Sequence, residues 1–198
     1  MDEGYIKFNC IWEKTSALPE NQLAELNKAR DQMYQQGLIG AYDNGIGFGN
    51  ISQRWSEHHF VISGSATGNF PKLNEQHYAL VTHFDIDQNQ VHCEGPIIAS
   101  SESMSHAVIY QECPEINAVI HIHHLAFWKK LCGQIPTTSI NAAYGSPEMA
   151  REIIRLLQQT SVRTKEQFFA MAGHEEGLIG FGQNMATAID KVLSYCSD

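Results

Sequence analysis

The spacing of apolar residues predicts an amphipathic helix over 19–37, PENQLAELNKARDQMYQQG. Its apolar residues recur at intervals of three and four, so they share one face of an α-helix. They are Leu23, Leu26, Ala29 and Met33. Pro19 suits the first turn of this helix and Gly37 can end it. Comparable patterns predict further helices at 100–114, about 125–131, 145–160 and 184–196.

Short runs rich in β-branched and aromatic residues predict the strands. They are GNISQRW (49–55), HFVISG (59–64), HYALVTHFDI (77–86), QVHCEG (90–95), INAVIHIH (116–123), QFFAMAG (167–173) and GLIGFG (177–182). The first four form two predicted hairpin pairs and are not interrupted by helices. Because the strands cluster instead of alternating with helices, the pattern favours an α/β fold with a mixed or antiparallel sheet flanked by helices.

Two histidines, His121 and His123, lie within the otherwise apolar strand 116–123, and His124 follows directly after it. Residues two apart on a strand point to the same face, so His121 and His123 project together, about 6–7 Å apart along the backbone. Two such imidazoles can converge on one metal ion, or they can be core side chains satisfied by hydrogen bonds. His124 points to the other face. A catalytic site for a divalent metal needs a third protein ligand from elsewhere in the chain.

Two other segments offer polar groups for such a site. The turn in MAGHEEGLIGFG (171–182) contains His174, Glu175 and Glu176, which face either solvent or a site. The helix start SSES (100–103) places Glu102 after two serines, and a helix N-terminus with hydroxyl groups can bind an anion. The alternative is that these residues only cap the helix. The glycine-rich NGIGFGN (44–50) is not followed by a helix, so it is a flexible turn and no dinucleotide-binding fingerprint.

Composition narrows the class of protein. The 198 residues carry a formal net charge of −9 with scattered basic residues, which disfavours binding to nucleic acid or to an anionic membrane. Five cysteines without a CxxC pair indicate free thiols in a reducing compartment. The chain has no apolar run of membrane-spanning length and no secretory signal pattern. We therefore expect a single cytoplasmic domain over 1–198.

Five motifs in order carry a family resemblance. They are GNISQR (49–54), SATG (65–68), SSESMSHAVIY (100–110), PEINAVIHIHH (114–124) and GHEEGLIGFG (173–182). From about residue 20 to the C-terminus the chain resembles the class II aldolase/adducin family. The 19-residue step from Glu102 to His121 fits the aldolase pattern without a gap.

The resemblance implies a three-layer αβα sandwich with a mixed, largely antiparallel central sheet. It also implies a cyclic homotetramer with sites at subunit interfaces, and one divalent metal ion per chain, normally zinc. His121 and His123 match two metal-ligand positions, and Glu102 matches the catalytic acid/base. The positions that match a substrate-phosphate site are Asn50, Thr67, Gly68, Ser100 and Ser101.

Two departures from the family pattern affect these expectations. Where the family commonly reads His-Gly before the last strand, this chain reads HEEG, so we expect His174 as the third ligand and Glu176 as the alternative. A carboxylate ligand would also suit manganese. The loop IPTTSINAAYGSPEM (135–149) is short and has no tyrosine at the position of the family's proton donor. Tyr144 matches a structural aromatic residue instead.

The expected activity is cleavage of a ketose phosphate, or a related hydroxy-carbonyl compound, through a metal-stabilised enediolate, with Glu102 moving the proton. Alternatives are a sugar-phosphate epimerase or dehydratase on the same scaffold, and a non-catalytic adducin-like interaction module. A Schiff-base mechanism is disfavoured because no lysine lies in an apolar pocket pattern. His106, one helical turn after Glu102, is expected to pack near the site without binding the metal. The expected partner is a small molecule, not nucleic acid or membrane.

Overall fold

The computed structural model describes residues 5–196. The strands in this range are β1 (Asn9–Lys14), β2 (Gly40–Ala41), β3 (Gly47–Phe48), β4 (Asn50–Arg54), β5 (Phe60–Ser63), β6 (Tyr78–Asp85), β7 (Gln90–Gly95), β8 (Ala118–His123), β9 (Phe168–Ala170) and β10 (Gly177–Gly182). The α-helices are α1 (Ala24–Gln35), α2 (Ser103–Glu112), α3 (Leu125–Leu131), α4 (Pro147–Leu157) and α5 (Met185–Tyr195). None of the helices within residues 5–196 is long and apolar enough to cross a membrane.

Eight strands form one central sheet, in the order β1-β7-β6-β5-β4-β8-β10-β9. Neighbouring strands are antiparallel everywhere except at the β1–β7 edge, which is parallel. The expected mixed, largely antiparallel sheet is therefore confirmed. Strand β8 lies between β4 and β10, so both of its backbone edges are hydrogen-bonded and its side chains lie in the middle of the sheet.

The sheet separates two hydrophobic cores, as the period-2 alternation of β8 requires. Val119 packs into the core under α2 and α4, whereas Ile120 and Ile122 pack into the core under α1 and α5. Burying an apolar side chain of this size stabilises the fold by about 1.5–3 kcal/mol, so the alternation holds β8 in one register. The three-layer αβα sandwich is thus confirmed, and His121 and His123 share the Val119 face of the strand.

Several elements differ from the predicted ones. The predicted helix 19–37 begins as a 3-10 turn at Glu20–Gln22 before α1, and 145–160 ends at α4 with a π-helical turn following at Val162–Glu166. Sequence analysis also missed β1. This edge strand exposes five of its six residues, so no alternation of buried and exposed positions marks it. The glycine-rich segment predicted as a turn forms the short β2–β3 hairpin.

Candidate metal centre and phosphate site

Strand β8 presents His121 and His123 on one face, as their spacing predicts. Both imidazoles are buried, with 1% and 2% of their surface exposed, and their Nε2 atoms lie 3.0 Å apart. The strand neighbours of His121 are Asn50 on β4 and Ile179 on β10, so the paired imidazoles lie over the centre of the sheet.

The turn between β9 and β10 brings His174 to this pair. Backbone hydrogen bonds close the turn: the His174 amide donates to the Met171 carbonyl at 3.1 Å, and the Gly177 amide donates to the His174 carbonyl at 2.9 Å. His174 is 3% exposed. One nitrogen from each of the three imidazoles lies within 4.8 Å of the others.

The donor set fits a divalent cation. Desolvation lowers the pKa of His121 well below its ordinary value, and the neighbouring His123 and His174 lower it further. A neutral imidazole is the form that binds metal. The Nδ1 atom of His121 lies 3.2 Å from the Leu178 carbonyl, which can only accept. Nδ1 therefore carries the proton, and Nε2 keeps the lone pair that a metal requires.

Glu102 lies beside the histidines. It occupies the N-cap position of α2 but makes no side-chain capping bond, and it is 2% exposed. Its Oε1 lies 3.7 Å from His174 Nδ1, and its Oε2 accepts a hydrogen bond from the Ser105 hydroxyl at 2.7 Å. The carboxylate is therefore held beside His174, one of the three clustered imidazoles.

The predicted phosphate residues line one small polar cavity together with Glu102. They are Asn50, Thr67, Gly68, Ser100 and Ser101. The Asn50 carboxamide oxygen is buried without a hydrogen-bond partner among the described residues, so a ligand can supply one. The Thr67 hydroxyl donates its proton to the Gly64 carbonyl at 2.8 Å, so in this arrangement it cannot also donate to a phosphate oxygen. Gly68 is required here because a Cβ atom would lie 2.2 Å from the Gly40 carbonyl oxygen.

Sequence reasoning missed a buried arginine behind this cavity. Arg30 on α1 donates from Nη2 to the carbonyls of Thr67 and Gly68, both at 3.1 Å, and from Nη1 to that of Pro71 at 3.2 Å. It thereby holds the loop that carries two of the predicted phosphate residues. A signal was present, because Arg30 follows Leu26 by four residues and so falls on the apolar helix face.

The side chains of Tyr144 and Tyr42 contact two of the candidate ligands. The Tyr144 ring stacks on His174, with centroids 4.6 Å apart and planes at 25°, and Lys7 Nζ lies 3.8 Å from the Tyr144 centroid. Tyr144 is thus part of the packing of His174. Tyr42, which sequence analysis did not single out, lies 3.0 Å from His123 Nδ1 through its hydroxyl.

The remaining candidate residues lie outside the imidazole cluster. His106 is fully buried on α2, 2.7 Å from the Ser52 hydroxyl, and burial lowers its pKa to about 3. His124 caps α3 by accepting from the Phe127 amide at 3.3 Å. Glu176, the alternative third ligand, accepts a hydrogen bond from Tyr42 and is not part of the three-histidine group.

Comparison with known proteins identifies the family. The model of the class II aldolase and adducin N-terminal domain matches residues 24–195, which is most of the chain. The chain therefore belongs to the class II aldolase and adducin family, as the five ordered motifs predicted.

Individual relatives are distant. The chain is 28% identical over 100 residues to the probable L-ribulose-5-phosphate 4-epimerase UlaF of Mycoplasma pneumoniae, a match that covers 50% of this chain and 40% of that protein. The chain thus spans less than half the length of this curated relative. An L-fuculose 1-phosphate aldolase superposes with a TM-score of 0.65 at 22% identity, over 91% of this chain and 84% of that one. YgbL from Escherichia coli superposes with a TM-score of 0.63 at 17% identity, over 88% of this chain and 84% of that one. At these identities, the two structures establish the shared fold.

Proposed function

We propose that this protein is a metal-dependent lyase of the aldolase type that cleaves a ketose phosphate or a related hydroxy-carbonyl compound. One observation carries the proposal: three buried imidazoles, a buried carboxylate and a small polar cavity meet at one place in the fold. His121, His123 and His174 would hold one divalent cation per chain. We favour zinc, because it is commonly bound by three histidines with a fourth position open, and manganese is the alternative.

The residues divide the chemistry between them. A bound divalent cation would supply Lewis-acid stabilisation of negative charge on the substrate's oxygens as the carbon–carbon bond breaks. Glu102 would move the proton. Its Oε2 already accepts the Ser105 hydroxyl, so Oε1, which faces His174, is the atom that would take up and return it.

The polar cavity would bind the phosphate group. Ser100 Oγ accepts from the Glu102 amide at 3.3 Å, so its own hydroxyl proton can be donated to a phosphate oxygen. The N-terminus of α2 adds positive partial charge on the same side. Because Glu102 lines this cavity and also lies beside His174, one substrate can contact both ends of the site.

An epimerase or dehydratase on the same scaffold is the second candidate. Two observations favour it: the short loop without the family's donor tyrosine, and the similarity to a protein named as a probable L-ribulose-5-phosphate 4-epimerase. A non-catalytic interaction module is disfavoured because the chain keeps the histidine cluster and Glu102. We further propose a cytoplasmic homotetramer, in line with the family resemblance.

Metal content tests the proposal first. Elemental mass spectrometry of tag-free protein should find about one zinc or manganese per chain, and His121→Ala should lose it. His58→Ala is the matched control, because the His58 side chain is 80% exposed in the connection between β4 and β5. This variant should keep the metal. No metal in the wild type, even after reconstitution, would overturn the lyase proposal and favour the adducin-like module.

A substrate panel then separates the activities. Incubation of the metal-loaded protein with ketose phosphates should give aldehyde cleavage products. The Glu102→Gln variant should leave the same substrates uncleaved. Isomerised pentose phosphates without cleavage would favour the epimerase, and loss of water would favour the dehydratase.

A further inference from the structure

The side chains of Glu176 and Tyr42 form a chain of hydrogen bonds to His123, the second candidate metal ligand. This chain is called the relay below. The Tyr42 hydroxyl lies 3.0 Å from His123 Nδ1 and donates to Glu176 Oε2 at 2.7 Å. Tyr42 follows β2 in the glycine-rich hairpin, and Glu176 belongs to the HEEG segment that departs from the family pattern. The glycine-rich hairpin and the HEEG segment thus meet at the Nδ1 side of His123. The Nε2 atom on the other side of the ring faces His121.

The hydrogen-bond roles follow from the available protons. An ionised carboxylate can only accept, so the single proton of the Tyr42 hydroxyl goes to Glu176. The 2.7 Å distance from the Tyr42 hydroxyl to Glu176 Oε2 is that of a well-formed O–H···O hydrogen bond. The phenolic oxygen is left to accept from His123 Nδ1. In the form that binds a cation, this places the His123 proton on Nδ1 and the lone pair on Nε2; without a cation, the 3.0 Å contact between the two Nε2 atoms requires a proton on one of them.

The two strand histidines reach the same tautomer by different means. His121 uses the Leu178 carbonyl, which belongs to the sheet backbone and is unaffected by substitution of side chains. His123 depends on two side chains, so its tautomer and ring orientation can be changed by mutation. Outer hydrogen bonds of this kind orient the imidazoles of metal sites and raise their basicity.

The residues around His123 also restrict the position of its ring. The hairpin also carries Phe48, whose ring stacks on His123 with centroids 5.7 Å apart and packs against Tyr42 at 4.7 Å. Glu176 adopts a left-handed backbone conformation with φ of 70°, which is disfavoured for a residue with a Cβ atom. The chain keeps a glutamate at this position, where its carboxylate reaches Tyr42.

We propose that Tyr42 and Glu176 are positioning residues of the metal centre, which hold His123 with Nε2 directed to the cation. The inference rests on the proposed metal site and deepens it. It assigns Glu176 a place behind His123 instead of a place among the ligands.

Zinc affinity of the full-length protein, measured against a competing chelator, tests the relay. Tyr42→Phe removes one oxygen atom and keeps the ring contact with Phe48, so the fold should survive, which a melting curve checks. Tyr42→Phe and Glu176→Gln should each weaken zinc binding by about 10–100-fold. Glu175→Gln is the matched control: it removes the same charge one residue away from an exposed side chain, and its affinity should equal that of the wild type.

The tautomer provides a readout that does not need the metal. In protein labelled with 15N-histidine, proton–nitrogen correlation spectra of the apoprotein should show His123 protonated at Nδ1 in the wild type and in Glu175→Gln. In Tyr42→Phe that single tautomer should give way to a mixture. Both substitutions break the same chain of hydrogen bonds, so their effects should not add. The double variant Tyr42→Phe/Glu176→Gln should therefore bind zinc with about the affinity of whichever single variant has the lower affinity.

Several results would overturn the relay: unchanged zinc affinity and tautomer in both single variants, an equal loss in Glu175→Gln, or fully additive losses in the double variant. If the wild type takes up no zinc at all, the proposed function fails. The tautomer of His123 in the apoprotein and in Tyr42→Phe then still decides whether the relay exists.

Discussion

Replacement of the buried Arg30 should destabilise the whole fold and loosen the loop that contains Thr67, Gly68 and Pro71. Arg30 is 1% exposed and donates three hydrogen bonds to backbone carbonyls, of Thr67, Gly68 and Pro71. Arg30→Met keeps a long apolar stem of good helix propensity and removes every one of these donors. The substitution therefore isolates the contribution of the guanidinium group from that of the helix.

The magnitude follows from the bonds that are lost. A hydrogen bond from a charged donor contributes about 1.5–3 kcal/mol net, and a buried acceptor left without a partner costs about 1–3 kcal/mol. The methionine avoids the desolvation of a guanidinium group, and water can reach part of the loop, so the three contributions do not add in full. We expect the free energy of unfolding to fall by about 3–5 kcal/mol, against a typical total of about 5–15 kcal/mol.

Urea unfolding at equal protein concentration measures this change. Lys28→Met is the matched control, because it makes the same kind of substitution at an exposed position of α1 and should stay within about 0.5 kcal/mol of the wild type. Arg30→Lys should fall between the two, since an ammonium group cannot reproduce the planar fork. Amide hydrogen exchange should accelerate in 65–71 of Arg30→Met. A loss below about 1 kcal/mol with unchanged exchange there would refute the reasoning.

Three further outcomes are expected. The apoprotein should lose stability as the pH falls below about 6.5, because unfolded His106 binds a proton with a pKa near 6.5 whereas folded His106 does so only at about 3. The His106 linkage amounts to about 2 kcal/mol at pH 5; in pH-dependent urea titrations His106→Phe should remove this share, whereas the share of buried His121 should remain. Gly68→Ala should prevent correct closure of the loop, because its Cβ would overlap the Gly40 carbonyl, and differential scanning fluorimetry should show a large drop in melting temperature. Ser52→Ala should cost about 1–3 kcal/mol by chemical denaturation, because the Ser52 hydroxyl lies 2.7 Å from His106 Nδ1 and 2.8 Å from the Tyr110 hydroxyl; a loss near zero would mean that water replaces it.

Elements whose pattern is local were predictable. The helix expected at about 125–131 is observed at Leu125–Leu131, and the alternation in 116–123 placed both strand histidines on one face. The period of side-chain direction along a helix or strand is a property of the backbone itself, so the sequence alone is enough to assign a face. The residues that the family resemblance assigned to a phosphate site line one cavity together with Glu102; they are Asn50, Thr67, Gly68, Ser100 and Ser101.

Contacts between distant segments were not predictable. Arg30 meets Thr67 across 37 positions, and Tyr42 meets His123 across 81 and Glu176 across 134. Strand β1 is equally distant from its partner β7, and its exposed face carries no alternation that would reveal it.

The sequence by itself therefore determined which residues share a face of the predicted helices and strands, and that the chain belongs to the class II aldolase and adducin family. Only the tertiary structure decided which side chains support the candidate metal ligands and the loop that Arg30 holds. The physical reason is that propensity and periodicity act over a few residues, whereas a hydrogen bond between two buried groups depends on how the sheet and helices bring distant segments together.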